Sequence, residues 1–273
     1  MTQPSLDLTP ELSLGALQLA VLLAAALVAG VVDAIAGGGG LVTVPALLWA
    51  GLPPQLALGT NKGQGVFGTF ASLWRYGRAG MLDRERAKVS LPFGFAGALA
   101  GAALVLNLPP AVLRPVVLVL LVVVALFLAV RPPPQAKAGA AGAAPVRSPA
   151  RNAAIAASIA LAIGGYDGFF GPGTGTFLII AYALAFAAPL ARASADAKVV
   201  NFASNFASML LFAWRGTVLW RLALPMAAAQ FAGGWIGAHL AVKGGNGRVR
   251  WVVLGVVTAL VIKLGLDSLR ALG

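Results

Sequence analysis

Two glycine runs carry the clearest chemical potential in this chain, and an acid stands just ahead of each. The first reads Asp33-Ala-Ile-Ala-Gly37-Gly-Gly39-Gly-Leu, the second Asp167-Gly-Phe-Phe-Gly171-Pro-Gly173-Thr-Gly. Both have the form D-x-x-x-G-x-G and lie at the junction of two apolar segments. Glycine-rich backbone inside a membrane leaves N–H and C=O groups unpaired, which is tolerated only where it lines a polar cavity or is buried in protein. Each run can open a new helix, whose first N–H groups and positive dipole end suit an anion. The candidate ligands are the backbone of Gly38, Gly39, Gly40 and Gly173 and the hydroxyls of Thr174 and Thr176, with Thr43 as a further donor. The competing reading is close helix packing through small residues. A nucleotide P-loop fits poorly, because no Gly-Lys-Ser/Thr follows either run.

Asp33 and Asp167 occupy matching places at the ends of apolar segments. Ionisable residues at membrane depth are costly and tend to be functional. The pair can couple a proton or cation to transport, cap the next helix, or sit as interfacial carboxylates in water. Two ionised acids beside an anion site repel the substrate, so protonation would link proton movement to anion movement. A second polar group holds Asn61, Lys62 and Gln64, with Asn201, Ser204, Asn205 and Ser208 as its counterpart. Residues 201, 204, 205 and 208 share one helix face. These amides and hydroxyls either line a permeation path or bridge neighbouring helices. Lys62 and Lys198 stand near the start of apolar segments and read as interfacial, snorkelling residues rather than anion ligands. His239, the single histidine, has no partner cluster and reads as packing or interfacial. With no cysteine either, no metal-ligand set can be assembled, and no Ser-His-Asp order or cofactor fingerprint appears. The expectation is therefore no catalytic residue, no metal, no cofactor and no enzyme.

The elements that position these residues follow from composition. Of 273 residues 59% are hydrophobic and only 10% charged, against about 25% charged in soluble domains. Mean hydropathy is +0.88. Such a chain cannot cover a folded surface with polar groups, so its solvent is lipid. The net charge of +12 lies between apolar segments, which points to topology and anionic lipid rather than nucleic acid. Ten apolar segments stand out: Leu14–Ala36, Leu41–Ala50, Gly59–Trp74, Val89–Leu106, Ala111–Val130, Asn152–Gly164, Gly173–Ala187, Val199–Trp214, Leu222–Val242 and Val249–Leu266. A spanning helix needs about 20 apolar residues, so eight to ten segments would cross, some broken or re-entrant. Trp49, Trp74, Trp214, Trp220 and Trp251 fall near segment ends, as interfacial anchors do.

A Pro/Ala/Gly-rich linker at 131–150 divides the chain into a first membrane unit, 14–130, and a second, 151–273, after an N-terminal tail, 1–13. That tail has Asp7 and Glu11 and no basic residue, unlike a cleaved secretory signal. The halves echo one another. Beyond the D-x-x-x-G-x-G match, Asn61 and Asn201 each precede a Trp-Arg pair, and Gly97-x-x-x-Gly101 resembles Gly233-x-x-x-Gly237. If all ten segments cross, the odd-numbered loops hold fourteen Lys and Arg and the other side six. The bias puts those loops in the cytoplasm. An odd number of segments per half inverts the second repeat, a common transporter plan, whereas four per half makes the repeats parallel.

The stretches "DAIAGGGGLVTVPALL" and "LALGTNKGQGVFGTFASLWRYGRAG", with "GFFGPGTGTFLI" and "AKVVNFASNFASMLLFAWRGTVLW" in the second half, resemble the TauE/SafE family of sulfite exporters. The resemblance covers nearly the whole chain outside the tail and linker. It implies a two-repeat, multi-pass protein of the bacterial inner membrane that moves small sulfur-containing anions such as sulfite or sulfonates. The all-glycine run at 37–40 resembles the broad branch known only as membrane transporters. The expected architecture is an all-α bundle of eight to ten segments in two repeats. The site is expected where the glycine runs approach each other, lined by Asn61, Gln64, Thr174, Thr176, Asn201 and Asn205. Expected partners are a small anion and the bilayer; a homo-oligomer is compatible. A passive anion channel and a membrane packing or assembly protein are the alternatives.

Overall fold

A computed structural model describes residues 15–130 and 147–243. The tail at 1–13, most of the linker and the tenth segment, Val249–Leu266, lie outside the described residues. Among the described residues the chain forms nine helices and no strand: α1 (Ala16–Ala36), α2 (Gly40–Trp49), α3 (Pro54–Arg78), α4 (Arg84–Leu106), α5 (Pro110–Val130), α6 (Pro149–Phe169), α7 (Thr174–Phe186), α8 (Leu190–Trp214) and α9 (Trp220–Val242). Helix α6 begins inside the stretch read as linker, at Pro149, with Ser148 accepting from the Arg151 N–H at 3.3 Å.

Local chemistry sets the other boundaries. Gly37 ends α1 by adopting φ +79°, and its N–H bonds the carbonyls of Val32 and Asp33, a left-handed cap that favours glycine. Pro53 precedes α3 and Pro189 precedes α8, where a fixed φ suits helix entry. The Asp83 carboxylate caps α4 by accepting from the Arg86 N–H at 3.0 Å.

Among the described residues three stretches are long and apolar enough to cross a membrane: α1, α4 and residues 110–127 of α5. Helices α2 and α7, with 10 and 13 residues, are too short. Helices α3 and α8 run for 25 residues each but carry too many polar groups to face lipid. Packing resolves this. They lie against each other, and α9 and α4 add to their cover. Every residue from Leu56 to Val66 is buried. The apolar surface goes outward instead, through Val119, Val122, Val123 and Leu126 of α5 and the rings of Trp74 and Trp214.

Two clusters mark the ends of the bundle. Leu22, Leu47, Leu56, Leu222 and Met226 pack together at one end. Ala34, Tyr76, Ala195 and Ala238 gather at the other, with Met81 and Leu82 against them. Helices α1, α3 and α9 therefore run from end to end. Helix α2 turns back beside α1, bringing Leu47 to Leu22.

Helix α4 packs on α6 and α1 on α9, and glycines make both crossings close. A Cβ on Gly101 would lie 2.0 Å from the Gly165 carbonyl oxygen, and one on Gly233 2.0 Å from that of Leu27. Lipid tails offer helices no hydrophobic incentive to associate, so close backbone contact carries the packing. Gly101→Ala should lower the melting temperature of the detergent-purified protein, by the equivalent of about 1–3 kcal/mol for overpacking. Gly165→Ala is the control at the same crossing, since its Cβ meets nothing nearer than 3.6 Å. Equal melting of the two variants would refute the packing account.

Candidate functional site

The two glycine runs meet. A Cβ on Gly37 would lie 2.4 Å from the Gly175 Cα, and the Thr176 N–H bonds the Gly37 carbonyl at 3.2 Å. Here glycine is required on both counts, close approach and positive φ. Gly39 caps the start of α2 and Gly173, at φ +84°, the start of α7. Both short helices thus begin at the junction with the positive ends of their dipoles, although the N–H groups of Leu41, Val42, Thr174 and Thr176 are taken by the carbonyls of Gly38, Gly39, Gly171 and Gly37.

Beside the junction lies a cavity of about 30 Å³, room for roughly two waters. Asp33 of α1, Asn61, Lys62 and Thr69 of α3, Asp167 of α6, Thr174 of α7, Asn201 and Asn205 of α8 and Gln230 of α9 line it, with Gly37, Gly40, Gly65, Gly171 and Gly175.

Its charges pair crosswise. Lys62 Nζ donates to Asp167 Oδ1 at 2.8 Å, and Lys198 Nζ donates to Asp33 Oδ2 at 2.8 Å. Each pair joins one half of the chain to the other. The lysines are 2% and 0% exposed, the acids 9% (Asp33) and 3% (Asp167). Ser204 Oγ donates to the second oxygen of Asp167, and Lys198 also donates to the Asp33 carbonyl. Burying such ions is costly unless pairing and further hydrogen bonds satisfy them, as here.

The amides are not satisfied. Asn61 Oδ1 accepts from Thr43 Oγ1 at 2.5 Å, and its NH₂ group has no partner among the described residues. The side chains of Asn201, Asn205 and Gln230 make no hydrogen bond among the described residues, although the carbonyl ends of Asn201 and Gln230 are fully enclosed. Buried polar groups are normally paired; the fully enclosed atoms left over are the two carbonyl oxygens, while the NH₂ groups of all four amides belong to residues lining the cavity and remain open to a ligand.

A family model described as "Sulfite exporter TauE/SafE" matches residues 22–264. The chain belongs to this family. It is 35% identical over 254 residues to the "Probable membrane transporter protein ORF9" of Sinorhizobium sp, covering 93% of this chain and 95% of that one. It is 34% identical over 256 residues to the "Probable membrane transporter protein YfcA" of Escherichia coli K12, covering 92% and 91%. A "Probable membrane transporter protein" of Haemophilus influenzae is 32% identical over 250 residues, covering 92% and 95%. No solved structure matches significantly. Membership of the TauE/SafE family makes the chain a membrane transporter rather than an enzyme.

Against this TauE/SafE frame the residues singled out from sequence separate into groups. Gly40, Asn61, Thr174, Asn201, Asn205, Asp33 and Asp167 line the cavity, while Gly38, Gly39, Gln64, Gly173 and Thr176 do not. A Cβ on Gly173 would instead press on Val124 of α5, at 2.5 Å, and one on Gly39 on the Asp33 Cβ, at 2.8 Å. Gln64 reaches only toward Asn61, at 3.5 Å. The threonines are not spare donors: Thr174 gives its hydroxyl hydrogen to the Gly171 carbonyl at 2.6 Å, Thr176 to that of Ala36 at 2.7 Å, and Thr43 is spent on Gly39 and Asn61.

Lys62 and Lys198 are the main correction. They are not interfacial. Helix α3 begins at Pro54 rather than Gly59, and α8 at Leu190 rather than Val199, so both lysines lie two turns inside their helices and find an acid there. The carboxylates are likewise not in open water. His239 has a partner after all, accepting from Arg75 Nε at 3.3 Å. Thr69 and Gln230 were missed. Thr69 falls on the face of Asn61 and Gly65 by its spacing of four, and Gln230 is a lone amide in the apolar run Ala-Ala-Ala-Gln-Phe-Ala-Gly-Gly.

Removing one partner of a crosswise pair strands a buried charge. Lys62→Met and Asp167→Leu should each destabilise by about 3–5 kcal/mol, and the double variant should recover much of the loss. Thermal unfolding in detergent reads this out, and additive losses in the double variant would show the pair is not coupled.

Proposed function

We propose that this transporter moves a small sulfur oxyanion, sulfite or an organosulfonate, outward across the bacterial inner membrane by alternating access. The observation that carries this reading is a cavity at two helix N-termini lined by four amides, Asn61, Asn201, Asn205 and Gln230, whose NH₂ groups can donate to a ligand. The amide NH₂ groups and the positive dipole ends converge there, which suits an oxyanion. The cavity has room for about two waters in this conformation, so binding of even sulfite requires it to widen. The family description supplies the sulfur chemistry and the direction.

Alternating access rests on two inverted repeats, and several features support that relation. Helices α3 and α8 have 25 residues each, α4 and α9 have 23 each. One constant spacing separates Pro54 from Leu190, Lys62 from Lys198 and Arg84 from Trp220. It also relates two backbone contacts: the Asp83 N–H donates to Asp196 Oδ1 at 3.0 Å, and the Leu219 N–H donates to Thr60 Oγ1 at 3.1 Å. Asp83 and Leu219 cap α4 and α9, and the packing of α4 on α6 parallels that of α9 on α1. This register differs by one helical turn from the sequence match of Asn61 with Asn201. Helices α2 and α7 then serve as short, broken crossings that keep five segments in each repeat, and the basic loops face the cytoplasm.

Proteoliposomes of the purified protein should carry sulfite saturably. Asn201→Ala, Asn205→Ala and Gln230→Ala should each weaken transport roughly ten- to hundredfold, the effect of losing a hydrogen bond to a charged ligand, with thermal stability kept. Unchanged transport in all three would refute the site.

A further inference from the structure

We propose that Lys62 is the charged ligand of the anion and that Asp167 holds it in reserve, releasing it only on taking up a proton, so that each monoanion binds together with one proton. The inference rests on the anion-site reading above and names its coupling ion.

Charge balance is the first ground. The cavity and its ion pairs hold two lysines and two aspartates, so their charges cancel. A monoanion added to that set leaves an uncompensated negative charge at depth, which low-dielectric surroundings penalise heavily. One proton on a carboxylate restores neutrality and frees a lysine for the anion.

The two pairs are not equivalent, and this selects Lys62. Lys198 donates to both the Asp33 carboxylate and the Asp33 backbone carbonyl. Protonation of Asp33 therefore leaves Lys198 still tied to α1. Among the described residues Lys62 has one partner, Asp167 Oδ1. Asp167 has a second, the Ser204 hydroxyl on Oδ2. A neutral Asp167 keeps a hydrogen bond to Ser204 while Lys62 loses its only acceptor. The freed ammonium lies beside Gly171, 3.0 Å from where a Cβ there would stand, at the entrance to α7. The unpaired amides of Asn201 and Asn205 share its cavity. An oxyanion bound there gains the ammonium, the amides and the helix end together.

Other ionisable groups around Asp167 leave this exchange intact. Tyr166, on the same helix, donates its hydroxyl to the Pro172 carbonyl. Tyr76 of α3 donates to the Ala34 carbonyl. Asp196 on α8 is held by Arg86. Helix α4, packed on α6, has its ionisable residues Arg84, Glu85, Arg86 and Lys88 at its far end, α9 has Arg221 and His239 near its ends, and α5 has Arg114 near its start. The proton moves from solvent to an Asp167 oxygen, and no covalent bond other than O–H is made.

The test uses methanesulfonate, a monoanion with no titratable proton of its own, and the full-length protein in weakly buffered detergent. Adding it to the native protein should raise the bulk pH by an amount equal to one proton taken up per anion bound. Binding should tighten about tenfold per unit fall in pH while Asp167 is ionised, and level off once it is protonated. Asp167→Asn mimics the neutral carboxyl: methanesulfonate should still bind, with no proton uptake and little pH dependence. Asp33→Asn should keep the proton uptake. Binding to the native protein without proton uptake, or binding that follows sodium instead of pH, would overturn the proposal while leaving the anion site standing. Should Asp167→Asn fail to fold, the native stoichiometry decides alone. If neither methanesulfonate nor sulfite binds at any pH, the anion site falls and this inference with it.

Discussion

The crosswise pairing of Lys62 with Asp167 and Lys198 with Asp33 is the constraint around which the bundle is built. Four ionisable groups sit where a membrane protein can least afford them. Each is tolerated because its partner arrives from the opposite half of the chain. Neither half can bury its own acid and lysine alone, so folding of the centre requires both. That dependence explains why α3 and α8, too polar for lipid, lie in the middle with apolar helices outside. The polar content of the helices and their place in the bundle are one fact seen twice.

Glycine does the complementary work. Ion pairs of 2.8 Å demand that the backbones behind them come close. The contacts of Gly37 with Gly175, Gly101 with Gly165 and Gly233 with Leu27 bring main chains to distances that exclude a Cβ. In lipid such contacts replace the hydrophobic force that packs soluble helices. The same residue type thus serves two ends here: in the crossings it is a packing device, while at Gly37 and Gly173 it also supplies the left-handed turns around α2 and α7. The packing and broken-helix readings of the glycine runs are therefore compatible.

Much of this was legible from the sequence, for reasons that can be stated. The helices left strong apolar runs. The repeated D-x-x-x-G-x-G marked the junction because residue type and spacing are both unusual there. The faces of α8 followed from a spacing of three and four. The lysines were misread because their partners lie more than a hundred residues away, and hydropathy trimmed α3 and α8 at their polar, protein-covered starts. A lysine at the edge of an apolar window looks interfacial; the same lysine two turns inside a helix must have a partner. Pro53 and Pro189 were the available signal, since a proline just ahead of a helix fixes where it begins. The threonine hydroxyls were misassigned for a related reason. A hydroxyl one turn from a glycine carbonyl is usually spent locally, as that of Thr174 is on Gly171.

Equal architecture need not mean equal energy. Under the proposed relation between halves, the backbone N–H that caps α4 and the one that caps α9 make equivalent bonds at opposite ends of the bundle. One is received by the Asp196 carboxylate, which Arg86 also engages while lying 3.9 Å over the Phe186 ring. The other is received by the neutral hydroxyl of Thr60. A charged acceptor binds an N–H more strongly than a hydroxyl does, and Arg86 adds a second bond from α4 to α8 at that end alone. The end with the basic loops is consequently the more firmly closed. The proposed alternating access would open each end in turn, and the free energies of the two open states would then differ by the difference between these closures. A fold built from matched halves can in this way hold an unequal resting equilibrium, set by a few residues at the ends and independent of the ion pairs at the centre.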